Sequence, residues 1–238
     1  MYSRISDYDD YSTAYAAYVA QREHGGVEDD PLGILPCLLK FLGDVAGRSV
    51  LDVGCGKGYL ARVLVGCGAC VTGIDLSPRL IEMAREKDTA GEIEYRVADL
   101  SQPLPELSER FDAVASYLVL NDVEDYRGLA ATLAAVLKPG GRLVLAFSDP
   151  YGAIIRKHVT DYFDSDAVSS YRGLWAAGIK TCHYHRTMEE YLDAFLVTGL
   201  HLTKLADLTG IASVHDPGTI LPEGCRFPNF MLLAFVKP

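Results

Sequence analysis

The chain has 238 residues, of which 49% are hydrophobic, enough for one substantial domain with its own core. Its formal net charge is -10, whereas a protein that binds nucleic acid needs a basic surface, so nucleic acid is not expected as a partner. The N-terminal residues lack the basic start and apolar run of a signal peptide, and no apolar stretch approaches about 20 residues. We therefore expect a cytoplasmic protein without membrane insertion.

The cysteines predict neither a disulfide framework nor a metal site. Six cysteines are few for a chain of this length, and cytoplasmic thiols stay reduced. Cys67 and Cys70 form a C-x-x-C pair, but no second pair of Cys or His at zinc spacing accompanies them. Their surroundings are typical of a helix end that turns into a strand, where small residues pack.

The first elements in chain order are two helices. Four tyrosines recur at steps of three and four residues, which places their rings on one face of a helix over 7–22: Tyr8, Tyr11, Tyr15 and Tyr18. That face must cover another part of the molecule. A second helix is predicted over 31–47, with Pro36 as the point where it can break.

From residue 49 onward, strands and helices alternate. Strands are predicted at 49–54, 70–75, 93–99, 110–117 and 141–148, and helices at 57–66, 77–87 and 126–138. Strands of this Val- and Leu-rich type, separated by helices, are typical of an α/β fold with a doubly wound, mostly parallel sheet. Residues 150–186 interrupt the alternation and are predicted to form an inserted helical cap. A helix over 188–198 and two antiparallel strands, 201–208 and 229–237, follow.

A glycine-rich stretch, VLDVGCGKG, directly follows the first of these strands. It carries glycine at every second position: Gly54, Gly56 and Gly58. Strand-to-helix turns lie at the carboxyl edge of the sheet, where open α/β folds bind ligands. The stretch is no P-loop, because a glycine rather than Ser or Thr follows Lys57, and Tyr59 stands where a dinucleotide-binding turn has glycine. Asp52 inside the strand suits a ligand with a cationic amine instead.

Two further acidic residues end the next two predicted strands. Asp75 in GIDLS can accept hydrogen bonds from both hydroxyls of a ribose. Asp99 and Leu100 in VADL combine a polar group with an apolar wall, as the edge and face of an adenine require. An amino acid, a ribose and a purine, in that order, are the parts of S-adenosylmethionine.

Five segments resemble, in order and spacing, the motifs of class I S-adenosylmethionine-dependent methyltransferases: VLDVGCGKG, GIDLS, VADL, FDAVASYLVLNDVED and LKPGGRLVLAFS. The C-terminal segments YHRTMEEYLDAFLVTGL and FPNFMLLAFVKP are similar to the small-molecule branch, which includes quinone and natural-product methyltransferases. The resemblance implies a Rossmann-like, seven-stranded sheet with an antiparallel last strand. It also implies S-adenosyl-L-methionine as the cofactor and in-line methyl transfer to an O, N or C atom of a small-molecule acceptor.

The resemblance divides the single domain into four parts: an N-terminal helical cap (1–48), a cofactor-binding core (49–149), an inserted substrate cap (150–186), and a closing helix and strands (187–238). It implies cofactor contacts at Tyr8, Tyr15, Asp52, Gly54, Cys55, Gly56, Gly58, Asp75, Leu76, Asp99, Leu100, Ser116 and Tyr117. Among these, Ser116 would offer its backbone carbonyl to the amine. Two alternatives are a tight glycine turn without a ligand and an Asp52 that supports a helix N-terminus.

The segment after the fourth strand departs from similar proteins. They often read Leu-His-His or Leu-His-Tyr there, whereas this chain has Leu120-Asn121-Asp122. Asp122 could replace the histidine as a base, or Asn121 could orient an acceptor by hydrogen bonding. Asp149 likewise stands where relatives tend to have His before Pro, which would suit a cationic or amine acceptor. Either aspartate could equally cap a helix.

The segment CHYHRT supplies two histidines and an arginine at the exit of the inserted cap. A histidine is a suitable general base for a phenol or an amine. The pattern Tyr-His-Arg-Thr, which small-molecule relatives share, favours His185 as that base, whereas a structural role fits His183 slightly better. Trp175 and Phe163 would supply an apolar wall for a planar substrate.

Three other functions stay open at this point. The fold can hold S-adenosylmethionine as a structural element while the cap catalyses a cyclisation or decarboxylation. A non-catalytic binding protein is disfavoured by the intact Asp75 and Asp99. A protein or RNA methyltransferase is disfavoured by the acidic balance of the chain. The sequence does not indicate an oligomeric state.

Overall fold

The computed structural model describes residues 33–155, 159–165, 168–169, 182–208 and 228–238. The predicted helix over 7–22, with Tyr8 and Tyr15, lies outside these residues. The described helices are α1 (Leu35–Leu42), α2 (Tyr59–Gly66), α3 (Pro78–Lys87), α4 (Tyr126–Val136), α5 (Pro150–Ile155) and α6 (Met188–Leu196). The described strands are β1 (Ser49–Val53), β2 (Cys70–Asp75), β3 (Glu94–Val97), β4 (Phe111–Tyr117), β5 (Leu137–Ser148), β6 (Val168–Ser169), β7 (His183–Tyr184), β8 (His201–Leu208) and β9 (Phe230–Val236).

Seven of these strands form one sheet in the order β3-β2-β1-β4-β5-β9-β8. The pairs among β1 to β5 are parallel, whereas β9 runs antiparallel to both β5 and β8. The predicted doubly wound, mostly parallel sheet with an antiparallel last strand is thus confirmed. The chain reverses its direction of travel across the sheet between β3 and β4, so the carboxyl ends of β1 and β4 border the switch point where such folds bind ligands.

Hydrophobic cores cover both faces of the sheet. Because side chains alternate along a strand, Leu51 and Val53 of β1 join the core packed under α4 and α6, whereas Val50 joins the core packed under α1, α2 and α3. Asp52 has the same parity as Val50. Its carboxylate therefore belongs to the face that α2 covers.

Helix α1 is shorter than predicted, and Pro36 does not break it. The helix begins at Leu35, and Pro36 occupies its first turn, where the missing N–H would have no partner within the helix in any case. Gly43, with φ of 78°, ends the helix. The prediction of a helix over 31–47 was therefore wrong in its bounds and in the role of Pro36.

The described part of the segment 150–186 contains helix α5 and also a short antiparallel ribbon of β6 and β7. The sequence does not predict this ribbon, because strands of two residues carry no periodic signal. Helix α6 follows with a complete capping box between Thr187 and Glu190. The ribbon lies against a 3-10 turn at Leu120–Asp122, directly after β4.

Candidate functional site

The glycine turn between β1 and α2 has a left-handed backbone at each of its glycines. The φ angles of Gly54, Gly56 and Gly58 are 62°, 51° and 77°. A β-carbon on Gly54 would overlap the side chain of Val119, and one on Gly58 would overlap the hydroxyl of Tyr95. A β-carbon on Gly56 would meet nothing within 4 Å. Neighbours in the protein thus require glycine at two positions, whereas Gly56 leaves space where a ligand can approach the main chain.

Asp75, at the carboxyl end of β2, holds this turn in place. Its Oδ2 accepts a hydrogen bond from the amide of Gly56 at 2.9 Å, and its Oδ1 accepts one from the amide of Ser77 at 2.9 Å. Burial raises the pKa of Asp75, and these main-chain donors oppose the rise. The side chain is only partly buried, so lone pairs of the carboxylate can still accept hydrogen bonds from a ligand.

Asp52 and Ser116, near the carboxyl ends of the adjacent strands β1 and β4, carry two buried polar atoms on opposite faces of the sheet. Both residues are 1% exposed, and neither Oδ2 of Asp52 nor Oγ of Ser116 has a hydrogen-bond partner among the described residues. Burial raises the pKa of Asp52 to about 8, although a hydrogen bond from the amide of Ala61 opposes the rise. Because Ala61 lies in the first turn of α2, Asp52 supports that helix N-terminus and keeps one oxygen for another donor.

The next four predicted contact residues divide into exposed and buried side chains. Leu76, directly after β2, is 56% exposed. Asp99 is exposed, and its Oδ1 accepts hydrogen bonds from the amide and the hydroxyl of Ser101 at 2.9 and 2.7 Å. Cys55 and Leu100 pack into the cores instead, and burial raises the pKa of the Cys55 thiol. Leu76 and Asp99 are therefore the two of these side chains best placed to meet a ligand.

The chain makes a sharp turn at the end of β4. Tyr117 packs edge-on against Tyr59 with 6.4 Å between the ring centroids. Leu118 follows with φ of 63°, a conformation that is costly for a residue other than glycine. Val119 then fills the space beside Gly54. The end of β4 is thus pressed against the glycine turn.

Asn121 ties this turn to β5 and α6. Its Oδ1 accepts a hydrogen bond from the amide of Ser148 at 2.9 Å, and its Nδ2 donates to the hydroxyl of Tyr191 at 3.2 Å. Tyr191 is fully buried, and its hydroxyl donates to the carbonyl of Tyr184 in the ribbon at 3.4 Å. These contacts use both ends of the Asn121 amide for positioning, so the prediction that it orients an acceptor gains no support from the geometry.

Asp122 pairs with His183, a combination that the sequence analysis did not predict. Oδ1 of Asp122 lies 3.2 Å from Nε2 of His183, and the two side chains are 16% and 18% exposed. The sequence contains two signs of this pair. Asp122 stands where similar proteins often have histidine, and His183 follows further along the chain. Besides burial, the charge of Asp122 raises the pKa of Asp75, so the two carboxyl groups interact electrostatically.

His185, the predicted base, has a structural hydrogen bond. It is 5% exposed, and its Nε2 lies 2.7 Å from the carbonyl oxygen of Tyr162, to which it can donate. The ring of Tyr162 also packs edge-on against the imidazole. His185 therefore joins the segment 159–165 to the chain that leads into α6, and its role as a base stays a prediction.

Arg186 anchors the same segment. Its guanidinium lies between the rings of Tyr126 and Tyr184, at 5.1 and 5.4 Å from their centroids. It donates hydrogen bonds to the carbonyls of Ser165 and Glu124 as well as to that of His185. The Tyr-His-Arg-Thr pattern is thus explained in large part by the packing of the inserted segment.

The structure does not support two other predictions about the acceptor site, those for Asp149 and Phe163. Asp149 is 2% exposed and accepts hydrogen bonds from the amides of Tyr151 and Gly152 at 3.1 and 2.9 Å, so it caps α5. The alternative of helix capping is confirmed for this residue, and it gives no support to an amine acceptor. Phe163 was expected to form part of an apolar wall, but its side chain is 81% exposed. Trp175 lies outside the described residues.

Some kinds of site are absent from the described ranges. No three His, Cys, Asp or Glu side chains in these ranges come together as a metal site requires. None of the described helices has the length and apolar character needed to cross a membrane. Cys67 and Cys70 are exposed free thiols at the end of α2 and the start of β2. Their positions agree with the prediction of a helix end that turns into a strand.

Known proteins resemble the central part of this chain. Residues 51–145 match the family model of a methyltransferase domain. Demethylmenaquinone methyltransferase of Tropheryma whipplei (strain Twist) is 43% identical over 113 residues, which are 47% of this chain and 46% of the relative. Ubiquinone biosynthesis O-methyltransferase of Xanthomonas oryzae pv. oryzae (strain PXO99A) is 40% identical over 105 residues, 43% of this chain and 44% of the relative. The chain thus spans a little less than half the length of these curated relatives.

A solved structure extends the likeness beyond this core. A crystal structure of an S-adenosylmethionine dependent methyltransferase from Mesorhizobium loti matches with a TM-score of 0.69 and 26% identity, over 86% of this chain and 97% of that one. The matched core contains the glycine turn, Asp75, Asp99 and the turn after β4. Residues 51–145 are therefore similar to a methyltransferase domain, and the fold of the chain is that of the S-adenosylmethionine-dependent methyltransferases.

Proposed function

We propose that this protein is an enzyme that transfers a methyl group from S-adenosyl-L-methionine to a small-molecule acceptor. The observation that carries the proposal is the open space at Gly56 beside the partly buried carboxylate of Asp75, at the switch point of the sheet. The match of residues 51–145 to a methyltransferase domain supports the same reaction.

The residues at this edge suit the parts of the cofactor. When bound, S-adenosyl-L-methionine supplies a methyl group on a positively charged sulfur. Asp75 would accept hydrogen bonds from the ribose hydroxyls, and the exposed Leu76 beside it would contact the adenine together with Asp99. The carboxyl group of Asp52 is buried at this edge, where the ammonium would favour its ionised form and pair with it, and the main-chain carbonyl of Ser116 would accept a hydrogen bond from that ammonium.

On the acceptor side, the protein mainly aligns the acceptor and excludes water. Asn121 would position the turn after β4, through its hydrogen bonds to Ser148 and Tyr191. His185 and Arg186 would position the inserted segment that covers the acceptor. The predicted catalytic role of Asp122 is kept, in combination with His183.

The names of the relatives suggest which acceptors to examine first. One is named for demethylmenaquinone and the other for ubiquinone biosynthesis, so quinols and phenols form the first class to examine. The acidic composition still predicts that nucleic acid is not the acceptor. A cytoplasmic location likewise stays a prediction from the sequence.

The experiment is an incubation of the purified protein with S-adenosylmethionine and a panel of phenols, quinols and amines. We expect S-adenosylhomocysteine to form together with a gain of one methyl group in an acceptor, as measured by mass spectrometry. The variant Asp75→Asn is the matched control and should lose this activity. Tight cofactor binding without methylation of any acceptor would favour a non-methylating reaction such as a cyclisation, and absence of cofactor binding would contradict the proposal.

A further inference from the structure

We propose that His183 is the general base of this reaction, that Asp122 positions its imidazole, and that the pair selects acceptors with an acidic O–H group such as phenols. The inference rests on the proposed function. It is carried by the 3.2 Å contact between Oδ1 of Asp122 and Nε2 of His183, and by the place of this contact in the fold.

A short chain of contacts connects the pair to the glycine turn. Val119 fills the space that a side chain at Gly54 would need, and the 3-10 turn that carries Asp122 begins at the next residue. The amide of Asp122 donates a hydrogen bond to the carbonyl of Val119 at 2.8 Å. The main chain at Asp122 is therefore held next to the residue that packs against the glycine turn.

The other partner is held equally well. His183 belongs to β7, which pairs with β6 through Ser169. The next residue, Tyr184, accepts a hydrogen bond at its carbonyl from the buried Tyr191 of α6. Because Tyr191 also binds Asn121, one hydroxyl fixes the ribbon and the turn after β4 relative to each other. The Asp122–His183 pair thus lies between two elements joined by a buried hydrogen bond.

The groups around the pair leave the imidazole as the proton acceptor. The turn after β4 contributes Asp122 and Glu124, and the charges of both, after burial, raise the pKa of the Cys182 thiol. Burial also raises the pKa of Tyr191, and Asp122 adds to that rise. The thiol and the phenol are therefore neutral near pH 7 and do not act as bases.

The pairing stabilises the imidazole once it has taken a proton, because the imidazolium then lies 3.2 Å from a carboxylate oxygen of Asp122. The acceptor oxygen gives its proton to the imidazole while it forms the new bond to the methyl carbon. The electron pair of the broken carbon–sulfur bond stays on the sulfur, which leaves a neutral thioether. The imidazolium, stabilised by Asp122, then passes its proton to water.

This chemistry favours phenols over aliphatic alcohols. A phenol has a pKa of about 10, as tyrosine does, so a histidine can take its proton during the transfer. An aliphatic alcohol is much less acidic and would need a stronger base. An acceptor that is already ionised would need no base, and this difference provides the test.

The test compares His183→Gln, which removes the base and keeps a donor toward Asp122, with Asp122→Asn and with His201→Gln on the exposed strand β8. We expect His183→Gln to lower kcat/KM by about 100-fold or more for simple phenols, in the range of general base catalysis. With nitrophenols at mildly alkaline pH, where they are ionised, it should stay near the wild-type activity. His201→Gln should match the wild type with both kinds of acceptor.

Two measurements separate this role from a structural one. Calorimetry with S-adenosylhomocysteine should give the same affinity for His183→Gln as for the wild type. In NMR spectra of the cofactor-free protein, Asp122→Asn should move the imidazole resonances of His183 and leave those of His201 in place. Equal activity of His183→Gln and the wild type on simple phenols, or an equal loss with ionised and neutral acceptors, would overturn the role of His183 alone. A wild-type protein that binds no cofactor would overturn the proposed function itself.

Discussion

The amide of Gly56 donates a hydrogen bond to Oδ2 of Asp75 at 2.9 Å, so the tip of β2 and the glycine turn after β1 form one unit. The amide of Ser77 occupies the other carboxylate oxygen. One side chain therefore shapes the turn and faces the space where the ribose of the cofactor is expected.

The variant Asp75→Asn is expected to weaken S-adenosylhomocysteine binding by roughly 10- to 100-fold, because a hydrogen bond to a charged group contributes about 1.5–3 kcal/mol. The side-chain NH₂ of the asparagine would also face the amide of either Gly56 or Ser77, so one of these two hydrogen bonds would be lost. Isothermal titration calorimetry measures the effect, and Asp44→Asn, at an exposed carboxylate far along the chain, is the control. Unchanged affinity in Asp75→Asn would contradict the assignment of the ribose site.

Two glycine substitutions should have different effects. Gly58→Ala would force a β-carbon against the hydroxyl of Tyr95 at a φ of 77°, so we expect a clear loss of stability. Gly56→Ala has no such neighbour and should lose only about 1–2 kcal/mol from the left-handed backbone, while cofactor binding falls sharply. Urea unfolding and calorimetry measure the two effects. Normal cofactor affinity in Gly56→Ala would show that no ligand approaches the main chain there.

The cofactor-free protein should lose stability as the pH rises, in part because of Asp52. Its pKa is about 8 in the folded protein, raised by burial, compared with 3.8 as the ordinary value. Between these values the folded state binds one more proton than the unfolded state, so the free energy of unfolding falls as the pH rises from about 4 to about 8. The largest contribution is on the order of 6 kcal/mol.

The variant Asp52→Asn keeps an acceptor for the amide of Ala61 but cannot ionise. Urea unfolding at pH 5 and pH 8 should therefore differ less for this variant than for the wild type. Part of the dependence should persist, because burial raises the pKa of Asp75 in the same direction. An identical pH dependence in Asp52→Asn and the wild type would rule out an elevated pKa at Asp52.

Arg186→Lys should lower the free energy of unfolding by roughly 2 kcal/mol, since a lysine cannot reach the three carbonyls that the guanidinium binds. Arg127→Lys is a matched control, because Arg127 also lies over the ring of Tyr126, at 5.0 Å, but is exposed. It should change stability by no more than about 0.5 kcal/mol. If both variants unfolded at the same urea concentration, the anchoring role of Arg186 would be wrong.

The core could be predicted from the sequence because its signals are local. The strands β1 and β4 are mostly apolar, and helices separate β1, β2 and β3 from one another. The bounds of β2 and β8 agree with the prediction residue by residue. The glycine turn and Asp75 were recognisable because the spacing of such residues follows directly from the strand-to-helix turn.

The acceptor side could not be predicted, because it depends on how distant segments meet. His183 and His185 are two residues apart, and only the fold of the ribbon decides that one meets Asp122 while the other meets the carbonyl of Tyr162. The positioning role of Asn121 likewise depends on the buried hydroxyl of Tyr191. Pro36 was misjudged because a proline inside an apolar pattern can begin a helix as well as break one.

The most direct measurement of the central claim is a calorimetric titration of the wild-type protein with S-adenosylmethionine, with a nicotinamide dinucleotide as the comparison ligand. We expect saturable binding of one S-adenosylmethionine per chain and no binding of the dinucleotide. Binding of the dinucleotide, with no heat from S-adenosylmethionine, would contradict this claim.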